Sequence, residues 1–318
     1  MPRPDGGALP GDAVLVRADV MAAGRQIVTR ALTEDLGVAG DVTQVVDADV
    51  TTVATVPPEM TGQADLVARQ DGVVAGCWLV GEVYDRLDGR VGVELAVQDG
   101  DRVASGQVLG NVAGPLRSIL VGERTALNLV GHLSGIATAT ARFVDEVAGT
   151  ACVVRDTRKT IPGMRLLEKA AVSAAGGVNH RIGLFDALLV KDNHVAAAGG
   201  IGAATRAAIA AGGDHHVQVE VDSLEQLEAA VTAGARDLLL DNFDPDAARA
   251  AVARIRDLER EHGRILVEAS GAIRLETVRA FALAGVDRVA VGAITHSAPQ
   301  FDVALDVRGA RPVRDLEG

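Results

Sequence analysis

Six short apolar runs recur down the C-terminal half of the chain: Ala151–Val154, Ala187–Val190, Val217–Val221, Leu238–Leu240, Ile265–Val267 and Arg288–Val291. Each gives way to polar residues and then to a segment with helical spacing. Short buried strands alternating with helices build a parallel sheet, and six of them at intervals of roughly 20 to 35 residues can curl into an incomplete α/β barrel. At or just past the ends of the runs stand Arg158 with Lys159, then Lys191, Glu220, Asp241, Ser270 with Gly271, and Gly292. An α/β barrel gathers its active site at the C-terminal ends of its strands, so these residues are expected around one mouth.

The N-terminal half follows a different rhythm. Val20–Leu36 carries apolar residues at helical spacing (Val20, Ala23, Ile27, Ala31) and stops at Gly37. Between residues 50 and 114 the runs Val50–Val56, Gln63–Val67, Val91–Val97 and Gln107–Val112 read as strands, with a helix over Cys77–Leu87. This predicts an N-terminal α+β sandwich domain over residues 1–130, ahead of a barrel domain over 131–298. Within it, VQDGDRVASGQVLGNV resembles the hairpin of biotinyl and lipoyl carrier domains, but it lacks the lysine that such domains present and reads as a Gly-turned hairpin. A helix from Ser118 to Val147 bridges the domains, with Leu127, Val130, Leu133, Ile136 and Ala137 on one face. Gly131 costs that helix about 1 kcal/mol relative to Ala. The first dozen residues, rich in Pro and Gly, are expected to be loosely attached.

Composition and charge narrow the function classes. Hydrophobic residues make up 48% of the 318, enough for two cores, while aromatics are only 2%, so the interior must be built from aliphatic side chains. A net charge of −12 without a basic tail argues against nucleic acid and against anionic membranes. No apolar leader core and no run of membrane-spanning length is visible. The two cysteines, Cys77 and Cys152, form no disulfide or zinc framework and point to a reducing, cytoplasmic setting. Against this acidic background, Arg155–Lys191 holds seven Lys or Arg (Arg155, Arg158, Lys159, Arg165, Lys169, Arg181, Lys191) against three acids, a net +4, plus His180. Either this is a solvated face or a multiply charged anion sits among the cations.

The segments ERTALNLVGHLSGIATAT, DTRKTIPGMRLLEKAAV, GGVNHRIGLFDALLVKDNH, VEVDSLEQ, LLLDNF, VEASGAI and DRVAVGAITHSAPQFDVALD, with EDLGVAGDVT nearer the N-terminus, together resemble the quinolinate phosphoribosyltransferase family over nearly the whole chain. The resemblance implies transfer of phosphoribose from phosphoribosyl pyrophosphate to quinolinate with loss of CO2 and pyrophosphate, giving nicotinate mononucleotide for NAD synthesis. It implies that Arg158, His180, Arg181 and Lys191 line the substrate pocket with Lys159 beside them, and that Arg124 enters the pocket of a second subunit, making a homodimer the smallest active unit. Glu220 and Asp241 match acids that handle Mg²⁺ and the ribose hydroxyls. Ser270, Gly271, Gly292 and His296 fall where the ribose 5-phosphate is held. The segment 299–318 is expected to return to the first domain. One departure is Ala272, where the family often has a second glycine; its methyl group is expected to narrow a phosphate loop.

The chemistry asks for the same residue types. Adjacent carboxylates pair best with the planar guanidinium of Arg124, Arg158 or Arg181. Carboxylates such as Glu220 and Asp241 hold a hard divalent cation directly or through water, and Lys159 and Lys191 take up charge from departing pyrophosphate. His180 is either a proton donor to the decarboxylated ring or a buried structural histidine. Three other readings stay open: a related phosphoribosyltransferase with a different acceptor, a Schiff-base lyase using Lys191, and a non-catalytic sensor of the same ligands.

Overall fold

The computed structural model describes residues 9–38, 41–43, 45–271 and 273–312, which fall into two compact units. The first comprises Leu15–Ala139, Ile161–Ala175 and the described residues from Ala298 onward. It opens with helix α1 (Arg17–Leu36), which Gly37 ends in a left-handed conformation at φ 64°. Its fully buried line is Gly24, Val28 and Leu32, one position on from the apolar residues that mark it in the sequence. Trp78 explains the rotation, because a Cβ on Gly24 would lie 2.2 Å from its ring.

The run Val50–Val56 is not a strand. It forms helix α2 (Val50–Thr55), because the Asp49 carboxylate accepts from the N–H groups of Thr51 and Thr52 and so caps a helix start that the β-branched side chains would otherwise oppose. Then come β1 (Met60–Ala68), β2 (Gly72–Val73), helix α3 (Trp78–Leu87), β3 (Gly92–Leu95), β4 (Arg102–Val103) and β5 (Val108–Pro115). The predicted Gly turn is present, with Gly106 at φ 84°. Its flanks nevertheless part company: β4 pairs with β2, while β5 pairs with β1 and β3. The last strand, β12 (Val303–Pro312), pairs antiparallel with β1, completing a four-stranded sheet in the order β12–β1–β5–β3.

Helix α4 (Leu116–Val147) buries the face expected of it. Gly131 has a structural reason: a Cβ there would meet Gln300 Nε2 at 2.5 Å and the Phe301 carbonyl oxygen at 2.9 Å, where the returning chain donates from Phe301 N–H to Gly131 O. The unit boundary divides α4 between Ala139 and Thr140, and Ile161–Ala175, with α5 (Arg165–Ala174), counts with the first unit. Residues 313–318 lie outside the described residues.

The second unit holds the described residues up to Val14, Thr140–Thr160 and Gly176–Ser297. Its strands are β6 (Val153–Arg155), β7 (Ala187–Val190), β8 (His216–Val221), β9 (Asp237–Asp241), β10 (Leu266–Ser270) and β11 (Arg288–Ala290), all parallel in the order β6–β11–β10–β9–β8–β7. Each falls within a few residues of an apolar run in the sequence. Because β6 and β7 do not pair, the barrel is incomplete. Val178 lies along the free edge of β6, donating to Val154 O and accepting from Asp156 N. Helices α6 (Asp192–Ala197) and α7 (Ile201–Gly212) follow β7. After the next four strands come α8 (Leu224–Thr232), α9 (Pro245–His262), α10 (Leu275–Ala284) and α11 (Ala293–His296). Local chemistry starts two of these: Ser223 caps α8 and Asp244 caps α9, with Pro245 in its first turn.

Inside the barrel, below the strand ends, the same face of neighbouring strands carries buried charge. Arg155 donates to Glu268 (2.6 Å), Arg288 to Asp237 (2.6 Å), and Gln218 to both acids. Residues 9–13 close this end. The guanidinium groups of Arg155 and Arg288 donate to the carbonyls of Gly11 and Pro10, the Asp12 carboxylate lies 3.4 Å from both Nε atoms, and Ala13 pairs with Asn179. The expectation of a loose N-terminal dozen is therefore corrected for residues 9–12; residues 1–8 lie outside the described ones.

Candidate active site

A cavity of about 530 Å³ opens at the C-terminal ends of the barrel strands. Four of the seven basic residues in the Arg155–Lys191 stretch line it: Arg158, Lys159, Arg181 and Lys191, together with His180. The other three are employed elsewhere. Arg155 belongs to the ion pairs of the barrel interior, and Arg165 and Lys169 lie on α5 in the other unit, Lys169 fully buried. The local positive balance thus overstates the charge of the cavity.

What the cavity offers an anion is sharper than a charge sum. Arg158 and Arg181 each have a buried Nε that finds no hydrogen-bond partner, although such donors are almost always paired inside proteins. Arg181 is only 7% exposed, and its other end is fixed by donation from Nη1 to the Ala187 carbonyl (2.9 Å). Burial and then the neighbouring Arg158 charge push its pKa down, against the opposing influence of Asp186. Holding the buried Arg181 guanidinium beside the half-buried one of Arg158 is unfavourable unless an anion compensates both.

His180 is held on two sides. Its backbone N–H donates to Asp156 (2.7 Å), and its Nδ1 accepts from the N–H of Arg181 (2.7 Å). With Nδ1 committed as an acceptor, the neutral ring carries its proton on Nε2. Lys191 ends β7 and donates from Nζ to Glu220 on β8 (2.7 Å). That ammonium is half exposed and ion-paired, unlike the desolvated amine a Schiff-base enzyme needs.

Asp241 ends β9, and its Oδ2 accepts from the side chain of Asn242 (2.8 Å). Asn242 takes φ 60°, a left-handed conformation that Asn tolerates better than most residues, and donates from its backbone to the Ser270 carbonyl. Gly271, at φ 88°, packs so tightly against it that a Cβ would lie 2.3 Å from Asn242 Oδ1. Ser270 and Gly271 line the cavity, whereas Ala272 lies outside the described residues.

Three residues singled out in the sequence do not line the cavity. Gly292 backs Lys159, where a Cβ would lie a tight 3.1 Å from the lysine Cδ, and Thr295 on α11 donates to the Lys159 carbonyl. His296 is exposed and contacts Ser297 (2.6 Å). Arg124 stands exposed on α4 in the other unit. Conversely, sequence reasoning missed Thr157, Asn242, Leu189, Leu239 and Ala290. Strand alternation held the signal for two of these, since Leu189 and Leu239 precede Lys191 and Asp241 by two residues and so share their inward face.

Comparison with known proteins decides the family. Residues 49–134 match the model for the N-terminal domain of quinolinate phosphoribosyl transferase, and residues 136–306 the model for its C-terminal domain. The chain belongs to the quinolinate phosphoribosyltransferase family. Among relatives in that family, nicotinate-nucleotide pyrophosphorylase (carboxylating) of Mycobacterium leprae is 46% identical over 287 residues, covering 90% of this chain and 97% of that one. A probable enzyme of the same name from Bacillus subtilis is 41% identical over 250 residues, covering 78% and 84%. The solved nicotinate-nucleotide pyrophosphorylase of Francisella tularensis superposes with a TM-score of 0.83 at 34% identity, covering 95% of this chain and all of that one. As a quinolinate phosphoribosyltransferase family member, the chain places Arg158, Lys159, His180, Arg181, Lys191, Glu220 and Asp241 around one cavity.

Proposed function

We propose that this chain transfers phosphoribose from phosphoribosyl pyrophosphate to the ring nitrogen of quinolinate and decarboxylates the adduct to nicotinate mononucleotide. The observation that carries the reading is the pair of guanidinium groups of half-buried Arg158 and buried Arg181, each with a buried Nε that lacks a partner, in a cavity that also presents two carboxylates. A planar dicarboxylate satisfies both donors. Leu189, Leu239 and Ala290 give the aromatic ring an apolar surface.

Binding of the second substrate falls to Lys159 and Lys191 for pyrophosphate and to Ser270 and Gly271 for the 5-phosphate, with Gly292 and His296, outside the cavity lining but beside Lys159, assigned to the outer side of that phosphate. As the bond from C1′ to pyrophosphate oxygen breaks, positive charge grows on the ribose, and the fixed carboxylates of Glu220 and Asp241 stabilise it. The pyridine nitrogen forms the new bond to C1′. Its positive charge then accepts the electron pair released when the 2-carboxylate leaves as CO2, and the ring carbon takes up a proton. His180 can supply that proton only through Nε2, since Nδ1 is committed to Arg181.

Glu220 and Asp241 suit Mg²⁺. Each has one oxygen engaged, by Lys191 and Asn242 respectively, and the other left for a hard cation. Among the described residues no group of three His, Cys, Asp or Glu side chains forms a complete cage, which matches a cation bound partly by substrate phosphates. A Mg²⁺ held by Glu220 and Asp241 would supply charge neutralisation for the departing pyrophosphate. The exposed Arg124 is assigned to the cavity of a second copy of the chain, so that the active unit is a homodimer. Two buried free thiols fit a cytoplasmic enzyme, and no described helix is long and apolar enough to cross a membrane.

The test is release of labelled CO2 from 2-carboxyl-labelled quinolinate. Release that requires phosphoribosyl pyrophosphate and Mg²⁺, with nicotinate mononucleotide formed, is expected. Folded protein that binds the ligands without release points instead to another acceptor or to a sensor.

A further inference from the structure

The two arginines that face the dicarboxylate reach the cavity on separate stretches of chain, Arg158 just after β6 and Arg181 just before β7. These are the two strands that do not pair, so the gap is crossed by a short bridge rather than a full ladder: Val178 exchanges backbone hydrogen bonds with Val154 and Asp156, and Arg155 Nε reaches the Asn179 carbonyl. Closer to the two arginines, the Asp156 side chain joins the stretches. Asp156, fully buried, accepts from the His180 backbone N–H with Oδ1 (2.7 Å) and from the Asn179 side-chain amide with Oδ2 (2.8 Å), while its own N–H donates to the Val178 carbonyl. Asp156 stands two residues before Arg158, and the His180 it grips stands one before Arg181.

We propose that Asp156 is a positioning residue that fixes the spacing of Arg158 and Arg181, and thereby the fit of the cavity to a 1,2-dicarboxylate. The role rests on the quinolinate reading above. Both carboxylate oxygens are engaged with the His180 segment, and a carboxylate is the side chain that accepts at two points and donates at none. The segment is also held from its far side, where Asp186 accepts from the N–H groups of Ile182 (2.6 Å) and Gly183 (2.9 Å). Losing the Asp156 contacts therefore shifts the near side, His180 and Arg181, rather than releasing the whole loop. Glu220, Asp241 and Ser270 stand on strands β8, β9 and β10, which pair with one another independently of Asp156. The effect should therefore fall on the dicarboxylate and spare the phosphoribosyl donor.

The experiment compares full-length wild type with Asp156→Ala, which loses both acceptors, and Asp156→Asn, which keeps one. Steady-state constants for both substrates are measured, together with calorimetric titration of benzene-1,2-dicarboxylate, which reports the fit without turnover. A displacement near 1 Å can cost about 100-fold in a positioned site. The expected result is a quinolinate KM raised by about that factor in the alanine variant and by roughly tenfold in the asparagine variant, dicarboxylate affinity weakened in parallel, and the phosphoribosyl pyrophosphate KM within about twofold of wild type. A purely structural residue would lower Tm and the active fraction while leaving both KM values unchanged. If the alanine variant does not fold, the asparagine variant decides. Wild-type quinolinate KM and dicarboxylate affinity in folded Asp156→Asn, or an equal rise in both KM values, overturns the positioning role. Wild type that neither turns over nor binds the dicarboxylate overturns the substrate reading and this role with it.

Discussion

Two unpartnered guanidinium nitrogens carry more information than the cavity's total of four positive charges, because a buried donor without an acceptor costs the protein free energy that an anionic ligand can return. Arg181→Lys keeps the charge but loses the planar fork. It should lower kcat/KM for quinolinate by about 100-fold, as initial rates at varied quinolinate will show. Gly271→Ala should be costly in a different way. At φ 88° and against Asn242, the added methyl must displace the β9 turn, which costs roughly 1–3 kcal/mol in stability and raises the KM for phosphoribosyl pyrophosphate. Most polar cavity residues were legible in the sequence because they sit at or just past a strand end, whereas His180 and Arg181, ahead of β7, stood out through the charge of their stretch and the family resemblance, and Thr157 and Asn242 were missed. The apolar ones were not, since Leu189 and Leu239 look like any other core leucine until the strand's alternation is counted. Arg155 illustrates the opposite error. It shares the stretch and the charge of the site residues, yet as a β6 residue it points into the barrel's ion pairs, a distinction that a charge count cannot make.

At the scale of elements, periodicity located all six barrel strands but misjudged places where one side chain or one glycine outweighs the pattern. Asp49 turns a β-branched run into a helix, and Asp49→Ala should cost about 1 kcal/mol in chemical denaturation through loss of the cap. Gly24 lies on the true buried line of α1 but has no side chain for a hydrophobic pattern to register. Gly131 reverses a propensity argument. Replacing a mid-helix glycine by alanine should stabilise by about 1 kcal/mol on propensity alone. In α4 the methyl would meet the Phe301 carbonyl, so Gly131→Ala is expected to lower Tm instead. A rise would mean that the returning chain gives way easily.

For the whole molecule, the barrel interior ties stability to pH. Burial pushes the Glu268 carboxyl up, but Arg155, then His180, the Gln218 hydrogen bond and Arg288 outweigh it and hold the group at about 2. A folded value depressed from 4.5 means that its contribution is present in full above that pH and disappears as the pH falls toward 2. Urea midpoints should therefore drop steeply across this window, and Glu268→Gln should flatten the drop. Glu268→Ala, which leaves Arg155 without its nearest carboxylate, is expected to cost about 3–5 kcal/mol at neutral pH. At the quaternary level, Arg124→Ala and Arg158→Ala proteins should each be inactive, while mixing them should restore part of the activity if two copies share a site. No recovery after verified subunit exchange counts against sharing.

The short segment Leu9–Ala13 bears on where protein synthesis can usefully begin. A methionine stands at position 21, past that segment, and a ribosome starting there would still make every strand of the barrel and every residue lining the cavity. The product would nonetheless lack the Asp12 carboxylate and the Pro10 and Gly11 carbonyls that engage Arg155 and Arg288. Those arginines would face an open barrel end with too few acceptors. Such a shortened polypeptide is expected to be cleared by cellular proteases despite a complete set of catalytic side chains.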